Sequence, residues 1–165
     1  MNTKNIITGL LIVFLLVGLM LWGRSNQPTG PSQSAGGGKS SLVATETFYD
    51  FGKISMKDGL VNYIFKISNP TDKDILLSTV LTSCMCTVAY IESPTGEKGP
   101  FGMPGMGHIP PANEIIKAGE RRDIKVVYDP NAHGPAGVGP VDRVIDLTEA
   151  DGGTLRLRIK AMVTP

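Results

Sequence analysis

The chain has 165 residues, with 16 Lys and Arg against 15 Asp and Glu, so its formal net charge is only +1. It has no basic stripe, and aromatic residues make up 6% of it, which argues against nucleic acid as a partner. Residues 42–165, which follow an apolar and then a polar N-terminal region, suffice for one domain with one hydrophobic core.

The N-terminal region contains an uninterrupted apolar segment. Residues 6–22 carry no charge and as a helix would span roughly 25 Å, near the short end of the range for membrane helices. With only Lys4 and the amino terminus before this run, the expected topology places the rest of the chain outside the cytoplasm. A cleaved signal peptide is the alternative, but residues 22–28 offer no Ala-x-Ala-like cleavage site, and the small residues Ser34-Ala35-Gly36 lie too far downstream. We therefore predict an N-terminal transmembrane helix, with an uncleaved signal-anchor at residues 1–23.

The next segment, residues 24–41, consists mainly of Gly, Ser, Pro and polar residues and has no large aliphatic or aromatic side chain. Such a composition cannot bury enough apolar surface to fold. We predict a flexible linker that tethers the domain at 42–165 to the membrane. The expected localisation is that of a single-pass membrane protein with its domain in the periplasm or at the cell surface.

The remaining chain shows short apolar segments separated by turn residues, and no segment after the anchor has helical periodicity over ten or more positions. This pattern predicts an all-β fold, an antiparallel β-sandwich of about seven strands. The clearest strands, in chain order, are Val43–Phe51, Val61–Ile67, Ile75–Thr82, Ile124–Tyr128, Val141–Thr148 and Thr154–Val163.

The last two of these strands form the most definite prediction. Leu155, Leu157 and Ile159 alternate with Arg156 and Arg158, which is typical of a half-buried strand with a basic outer face. The five residues 149–153 are short and rich in Gly, so they are expected to close a hairpin between the two strands.

Five short motifs, in this order, resemble those of the exported bacterial Ig-like domain-of-unknown-function family fifteen-seventy-three. They are Tyr49-Asp50-Phe51-Gly52-Lys53-Ile54, Tyr63-x-Phe65-x-Ile67-x-Asn69, Ser83-Cys84-x-Cys86-Thr87, Ala118-Gly119-Glu120 and Tyr128-Asp129-Pro130. The resemblance spans about Thr47 to Val163. It implies export and an Ig-like sandwich, related in architecture to the Hydin-like and major-sperm-protein-like sandwiches, and it implies no established activity.

The chain departs from the family pattern at two places. Met85 lies between the two cysteines, where the family usually has Gly. The family's short connection after the cysteine strand is replaced by an inserted Gly/Pro/Met loop at residues 92–111. Loops of this length inside a compact domain are usually functional or disordered.

Cys84 and Cys86 are the only cysteines of the chain. In an extended strand, residues at i and i+2 point to the same face, so both sulfurs could bind one soft ion. Cu(I) prefers thiolate and thioether ligands, and the candidate Cu(I) ligands are Cys84, Cys86, Met103, Met106 and His108.

Two other chemistries are open at the cysteines. Zinc would use Cys84, Cys86, His108 and His133, although Cys-x-Cys is tighter than the usual spacing in structural zinc sites. An exported dithiol could instead exchange electrons, because a bridge between i and i+2 would be strained and labile. No Cys-x-x-Cys at a helix start supports the redox interpretation.

The leading interpretation is a membrane-tethered, exported binding or scaffold module with no catalytic activity, in which the cysteines pack in the core. The sequence contains no nucleophile elbow, phosphate loop or His-Glu-x-x-His motif. The expected partners are the membrane, through the N-terminal helix, and an unidentified exported or membrane protein. No cofactor is expected other than Cu(I).

Overall fold

A computed structural model describes residues 38–165. The predicted membrane helix and residues 24–37 of the predicted linker lie outside the described residues. Among residues 38–165, no helix has the length and apolar character needed to cross a membrane.

Two five-stranded sheets pack face to face. The ten strands are β1 (Val43–Ala44), β2 (Phe48–Ser55), β3 (Val61–Ser68), β4 (Ile75–Thr82), β5 (Thr87–Ser93), β6 (Gly96–Phe101), β7 (Glu114–Ile116), β8 (Arg121–Tyr128), β9 (Gly139–Glu149) and β10 (Thr154–Thr164). The first sheet has the order β2-β10-β9-β4-β7, and the second sheet has the order β1-β3-β8-β5-β6.

The predicted all-β Ig-like sandwich is confirmed, with two differences. The described part of the chain has ten strands rather than about seven. The sequence pattern merged β1 with β2, did not identify β5 and placed β6 in a loop, and β7, with three residues, is too short for alternation to reveal it. The fold is also not purely antiparallel, since β2 pairs with β10 in parallel, with Phe48 opposite Arg158. Alternation identifies the buried face of a strand but not the direction of its neighbour.

The hairpin of β9 and β10 confirms the sequence prediction. The two strands pair from Thr154 opposite Thr148 to Val163 opposite Gly139. Leu157 and Ile159 are buried in the core, whereas Arg156 and Arg158 on the opposite face are exposed. The alternation of apolar and charged residues along β10 therefore predicted its buried face correctly.

The segment predicted as a loop at 92–111 contains regular structure. Strand β5 continues to Ser93, and β6 pairs with it as an antiparallel hairpin in which Ala89 is opposite Phe101. Phe101 is buried in the core, which fixes the end of β6. Pro100 is tolerated because β6 is an edge strand. The irregular part of the segment begins after Phe101 and extends to the start of β7 at Glu114.

A buried charge cluster connects the two sheets at one edge. Glu114 on β7 of the first sheet accepts hydrogen bonds from Arg122 on β8 of the second sheet, at 2.7 Å, and from Lys98 on β6, at 2.6 Å. Both Glu114 and Arg122 are buried. Because each charge has a close partner, the cluster avoids the large penalty of an unpaired buried ion.

Glu149, at the end of β9, binds the first described residues of the chain. Its carboxylate accepts hydrogen bonds from the backbone N–H groups of Ser41, at 2.9 Å, and Leu42, at 3.0 Å, and from the hydroxyl of Ser40. The side chains of Glu149 and Leu42 are both buried. These contacts place residues 40–42 on the β9–β10 hairpin.

Candidate metal site

The cysteines lie in a tight turn that crosses from the first sheet to the second. Residues 83–86 connect β4 to β5, and the backbone N–H of Thr87 donates to the carbonyl oxygen of Cys84 at 3.1 Å. The segment is therefore not extended, and the condition under which both sulfurs were expected to share one face of a strand is not met. The turn nevertheless brings the Sγ atoms of Cys84 and Cys86 to 2.6 Å, so the predicted convergence of the two sulfurs is present by another geometry.

Hydrogen bonds to neighbouring strands fix this turn. Ser83 exchanges two bonds with the backbone of Val144 on β9, donating from its N–H at 3.0 Å and accepting at its hydroxyl oxygen at 2.9 Å. At the other end, the carbonyl oxygen of Cys86 accepts from the N–H of Asp129, just after β8, at 2.8 Å. The turn is thus attached to both sheets.

His133 completes a cluster of three ligand-bearing side chains. It lies in the loop between β8 and β9, and its Nε2 atom is 3.2 Å from the Sγ of Cys84. The ligand atoms of Cys84, Cys86 and His133 all lie within 4.8 Å of one another. Two thiolates and one imidazole form a donor set suited to soft or borderline transition metals such as Cu(I) and zinc.

Arg143 lies next to this cluster without being a metal ligand. Its Nε donates to the Sγ of Cys86 at 3.1 Å, and one terminal nitrogen donates to the carbonyl oxygen of Asp142 at 2.9 Å. A cation hydrogen-bonded to sulfur stabilises the thiolate form that a metal requires. No motif analysis of the sequence identified Arg143, because its contact with Cys86 depends on the pairing of distant strands.

The two thiols differ in exposure and acidity. Cys86 is buried, and burial raises its pKa. Cys84 is half-buried, and burial acts to raise its pKa too. Hydrogen bonds from the side chain and backbone of Cys86, together with His133 and the charge of Arg143, outweigh this effect and lower the pKa of Cys84 to about 7. Cys84 is therefore the more accessible and more acidic thiol.

Of the ligands predicted in the inserted segment, His108 lies outside this cluster. Met103, Met106 and His108 belong to the irregular stretch after β6, in which Met106 is exposed. The stretch starts close to the cysteine turn, because the carbonyl oxygen of Gly102 accepts from the N–H of Thr82 at 3.1 Å. Of the two histidines, the structure places His133 at the cysteines, and His108 is not part of the group. A role for the two methionines stays a prediction.

The two-sheet sandwich with a cysteine-bearing crossover defines the class of domain, an Ig-like module. Residues 42–102 match the model of the family described as "Protein of unknown function (DUF1573)", and this match confirms the resemblance stated from the sequence motifs over these residues. The comparison with curated proteins finds no match.

Similarity to a solved structure agrees with the fold, and two further solved structures are also similar. A protein of unknown function from Porphyromonas gingivalis W83 is similar with a TM-score of 0.53 at 17% identity, over 81% of this chain and 51% of that one. The chain thus spans about half the length of that relative. The ASH / PapD-like domain of human CEP192 gives a TM-score of 0.48 at 9% identity, over 84% and 92% of the two chains. The secreted serine protease VesC from Vibrio cholerae gives a TM-score of 0.47 at 12% sequence identity, and the similarity covers 76% of this chain and 24% of VesC.

Proposed function

We propose that the chain is a non-catalytic, exported binding module that holds Cu(I) at Cys84, Cys86 and His133. The observation that carries the proposal is the convergence of two sulfurs and one imidazole nitrogen within 4.8 Å, at one end of an Ig-like sandwich. The family match brings no activity, so the function is inferred from this site.

Coordination chemistry favours Cu(I) over zinc at this site. Structural zinc sites are almost always four-coordinate, whereas residues 38–165 bring three ligands together. Cu(I) is stable with two or three soft ligands, and thiolates select it. The buried Cys86 and the half-exposed Cys84 supply the two thiolates, and the exposed His133 supplies the third ligand at the solvent side.

The inserted segment supports the same proposal. Its methionines carry neutral thioethers, which are weaker donors to Cu(I) than thiolates. Because the segment begins beside Thr82, Met103 or Met106 would add a further ligand if the segment bent over the turn. In the proposal these methionines adjust the affinity for Cu(I), and the cysteines provide most of it.

Location and partner complete the proposal. Residues 6–22 would anchor the chain in a membrane, with the sandwich in the periplasm or at the cell surface, where an exported or membrane protein would exchange the ion with it. The apolar run without a cleavage site supports this location. Intact-mass measurement of the protein extracted from membranes checks it, because a mature N-terminus between Trp22 and Leu42 would contradict the anchor.

The direct test is Cu(I) binding by the full chain in detergent, reduced and handled without oxygen, in competition with a chromogenic Cu(I) chelator. The unmodified chain is expected to bind one Cu(I), and Cys84→Ser and Cys86→Ser are each expected to abolish tight binding. His133→Ala should weaken binding by at least about tenfold, since even the outer partners of a metal ligand contribute about 10- to 100-fold.

His108→Ala is the matched control for His133→Ala, because both change one exposed loop histidine. It is expected to leave Cu(I) affinity within about twofold, well below the contribution of a metal ligand. Binding that survives both cysteine substitutions would reject the proposal. If His108→Ala weakens binding as much as His133→Ala, or if neither weakens it, the assignment of His133 as the third ligand is wrong.

A thiol redox module is the second candidate, favoured by the 2.6 Å separation of the two sulfurs. In that reaction the Cys84 thiolate attacks a disulfide of an exported protein, forms a mixed disulfide and releases one thiol. Cys86 then attacks the Cys84 sulfur, which releases the second thiol and leaves a Cys84–Cys86 disulfide. Transfer of the disulfide from oxidised glutathione to the metal-free chain, followed by mass spectrometry, distinguishes this function from metal binding.

A further inference from the structure

We propose that Arg143 makes the site of Cys84, Cys86 and His133 selective for monovalent over divalent soft metal ions. The inference rests on the proposed function, because it requires that these three residues bind a metal. Arg143 is assigned a positioning and charge-balancing role and not that of a metal ligand, because a guanidinium has no free lone pair to bind a metal ion.

The position of Arg143 supports this role. Its Nε donates to the Sγ of Cys86 at 3.1 Å, so the guanidinium contacts the ligand that is most buried. Arg143 itself is half-buried on β9. Partial removal from water strengthens the interaction of its charge with the metal centre relative to an exposed arginine.

Arg143 also has no carboxylate partner among residues 38–165. The ion pairs of this part of the chain involve Lys98, Arg122, Lys125, Arg156, Arg158 and Lys160. The adjacent Asp142 is bound by Arg158 on β10 instead. The positive charge of Arg143 is therefore directed to the cysteine sulfurs and is not neutralised by an acidic side chain in contact with it.

The net charge of the complex then differs between monovalent and divalent ions. Two thiolates, a neutral imidazole and a monovalent ion carry one net negative charge, which the permanently charged guanidinium neutralises. With a divalent ion the same ligands are already neutral, and Arg143 adds an unbalanced positive charge beside the metal. The arginine thus stabilises the monovalent complex and disfavours the divalent one.

The test compares Ag(I) and Cd(II), which are both soft d¹⁰ ions with an affinity for thiolates and differ in charge. Affinities of the full, reduced chain in detergent are measured for each ion, and the Ag(I)/Cd(II) affinity ratio is the readout. Arg143→Gln is expected to lower this ratio by about 10- to 100-fold, the usual effect of removing an outer partner of a metal ligand. Arg143→Lys keeps the charge and is expected to retain most of the selectivity.

Arg156→Gln is the matched control, because Arg156 is an exposed arginine that pairs with Asp146 on the outer face. It should leave the ratio unchanged. The ratio also remains valid if Arg143→Gln unfolds part of the sample, since a smaller competent fraction lowers both apparent affinities by the same factor.

Each outcome bears on one proposal. If the unmodified chain fails to bind Cu(I) or Ag(I) through its cysteines, the proposed function is rejected. If the unmodified chain binds Ag(I) but Arg143→Gln lowers both affinities equally, only the selectivity role of Arg143 is overturned. A loss of selectivity in Arg143→Lys as large as in Arg143→Gln would also overturn it, because the charge would then not be the cause.

Discussion

The Nε2 atom of His133 lies 3.2 Å from the Sγ atom of Cys84, although 49 positions separate the two residues in the chain. Strand pairing explains this proximity. Thr87, the first residue of β5, is opposite Tyr128, the last residue of β8. The chain before Thr87 and the chain after Tyr128 therefore leave the second sheet at the same end, so the cysteine turn and the histidine loop meet there.

The reactivity of the two thiols is the first prediction. In the reduced, metal-free chain, iodoacetamide should modify Cys84 before Cys86, because Cys84 is more exposed and has the lower pKa. The rate at Cys84 should rise with pH and reach half its maximum near pH 7, since its pKa is about 7 and the thiolate is the nucleophile. Mass spectrometry of digested samples measures both rates.

Substitution of His133 tests the cause of that acidity. His133→Ala removes a hydrogen bond that lowers the pKa of Cys84, so the pH profile should shift upward. His108→Ala is the control and should leave the profile in place. Equal modification rates at Cys84 and Cys86, or a half-maximal rate near pH 9, would contradict the asymmetry of the two thiols.

Core packing on β10 is the second prediction. Leu157 is fully buried, so Leu157→Ala should lower the free energy of unfolding by about 2–5 kcal/mol through loss of burial and formation of a cavity. Arg156→Ala on the opposite face should cost less than about 1 kcal/mol, the usual value of an exposed ion pair. Urea unfolding followed by circular dichroism measures both. Similar small losses at the two positions would contradict the register of β10.

The third prediction concerns the charge cluster between the sheets. Glu114→Gln removes the buried carboxylate from Arg122, which keeps its bond to Glu120 at 3.0 Å, and should lower the free energy of unfolding by about 1.5–3 kcal/mol, the usual worth of a hydrogen bond to a charged group. Glu97→Gln is the control, because Glu97 pairs with Lys125 at the surface and should contribute less than about 1 kcal/mol. A loss at Glu114 as small as that at Glu97 would show that the cluster contributes little to stability.

The same cluster gives a pH dependence with a defined sign. Burial acts to raise the pKa of Glu114, but the bonds from Lys98 and Arg122 outweigh it and hold the pKa below its ordinary value. A carboxyl whose folded pKa is depressed stabilises the fold fully above its unfolded pKa of about 4.3, and this contribution is lost as the pH falls through the folded pKa. The stability difference between the unmodified chain and Glu114→Gln should therefore shrink in acid. Unfolding measured at about pH 7 and about pH 3 checks this.

The sequence was most informative where the fold depends on local alternation. Leu157 and Ile159 on β10 were assigned to the correct face, and the hairpin loop 149–153 joins β9 to β10 as expected. The strand predicted at Ile124–Tyr128 lies within β8 and ends at the predicted residue. A period of two and turn-forming residues are properties of adjacent positions, so they can be recognised without knowledge of the partner strands.

Features that depend on distant strands were not predictable in this way. The local pattern around Cys84 and Cys86 favoured a strand, but bonds from Ser83 to β9 and from Asp129 to Cys86 stabilise a turn. From the sequence, His133 was only one of four candidate zinc ligands. Its contact with Cys84 follows from the register of β5 and β8, which no short motif specifies.

The last prediction concerns residues 40–42, which Glu149 holds against the β9–β10 hairpin. Its carboxylate accepts the backbone N–H groups of Ser41 and Leu42, in a buried position. Glu149→Ala removes the acceptor, and an amide left without its partner loses about 1–3 kcal/mol of local stability. Hydrogen exchange at these two amides should therefore become faster by about 5- to 150-fold, since every 1.4 kcal/mol is a factor of ten in the opening equilibrium.

Exchange at Ile159, in the core of β10, should change much less, because the anchor acts locally. Glu92→Ala removes a half-exposed carboxylate on β5 and should leave Ser41 and Leu42 protected. If Glu149→Ala also leaves these amides protected from exchange, burial of Leu42 alone is sufficient to hold residues 40–42 in place. If it speeds exchange at Ile159 equally, Glu149 stabilises the whole sandwich, and the local anchor model is wrong.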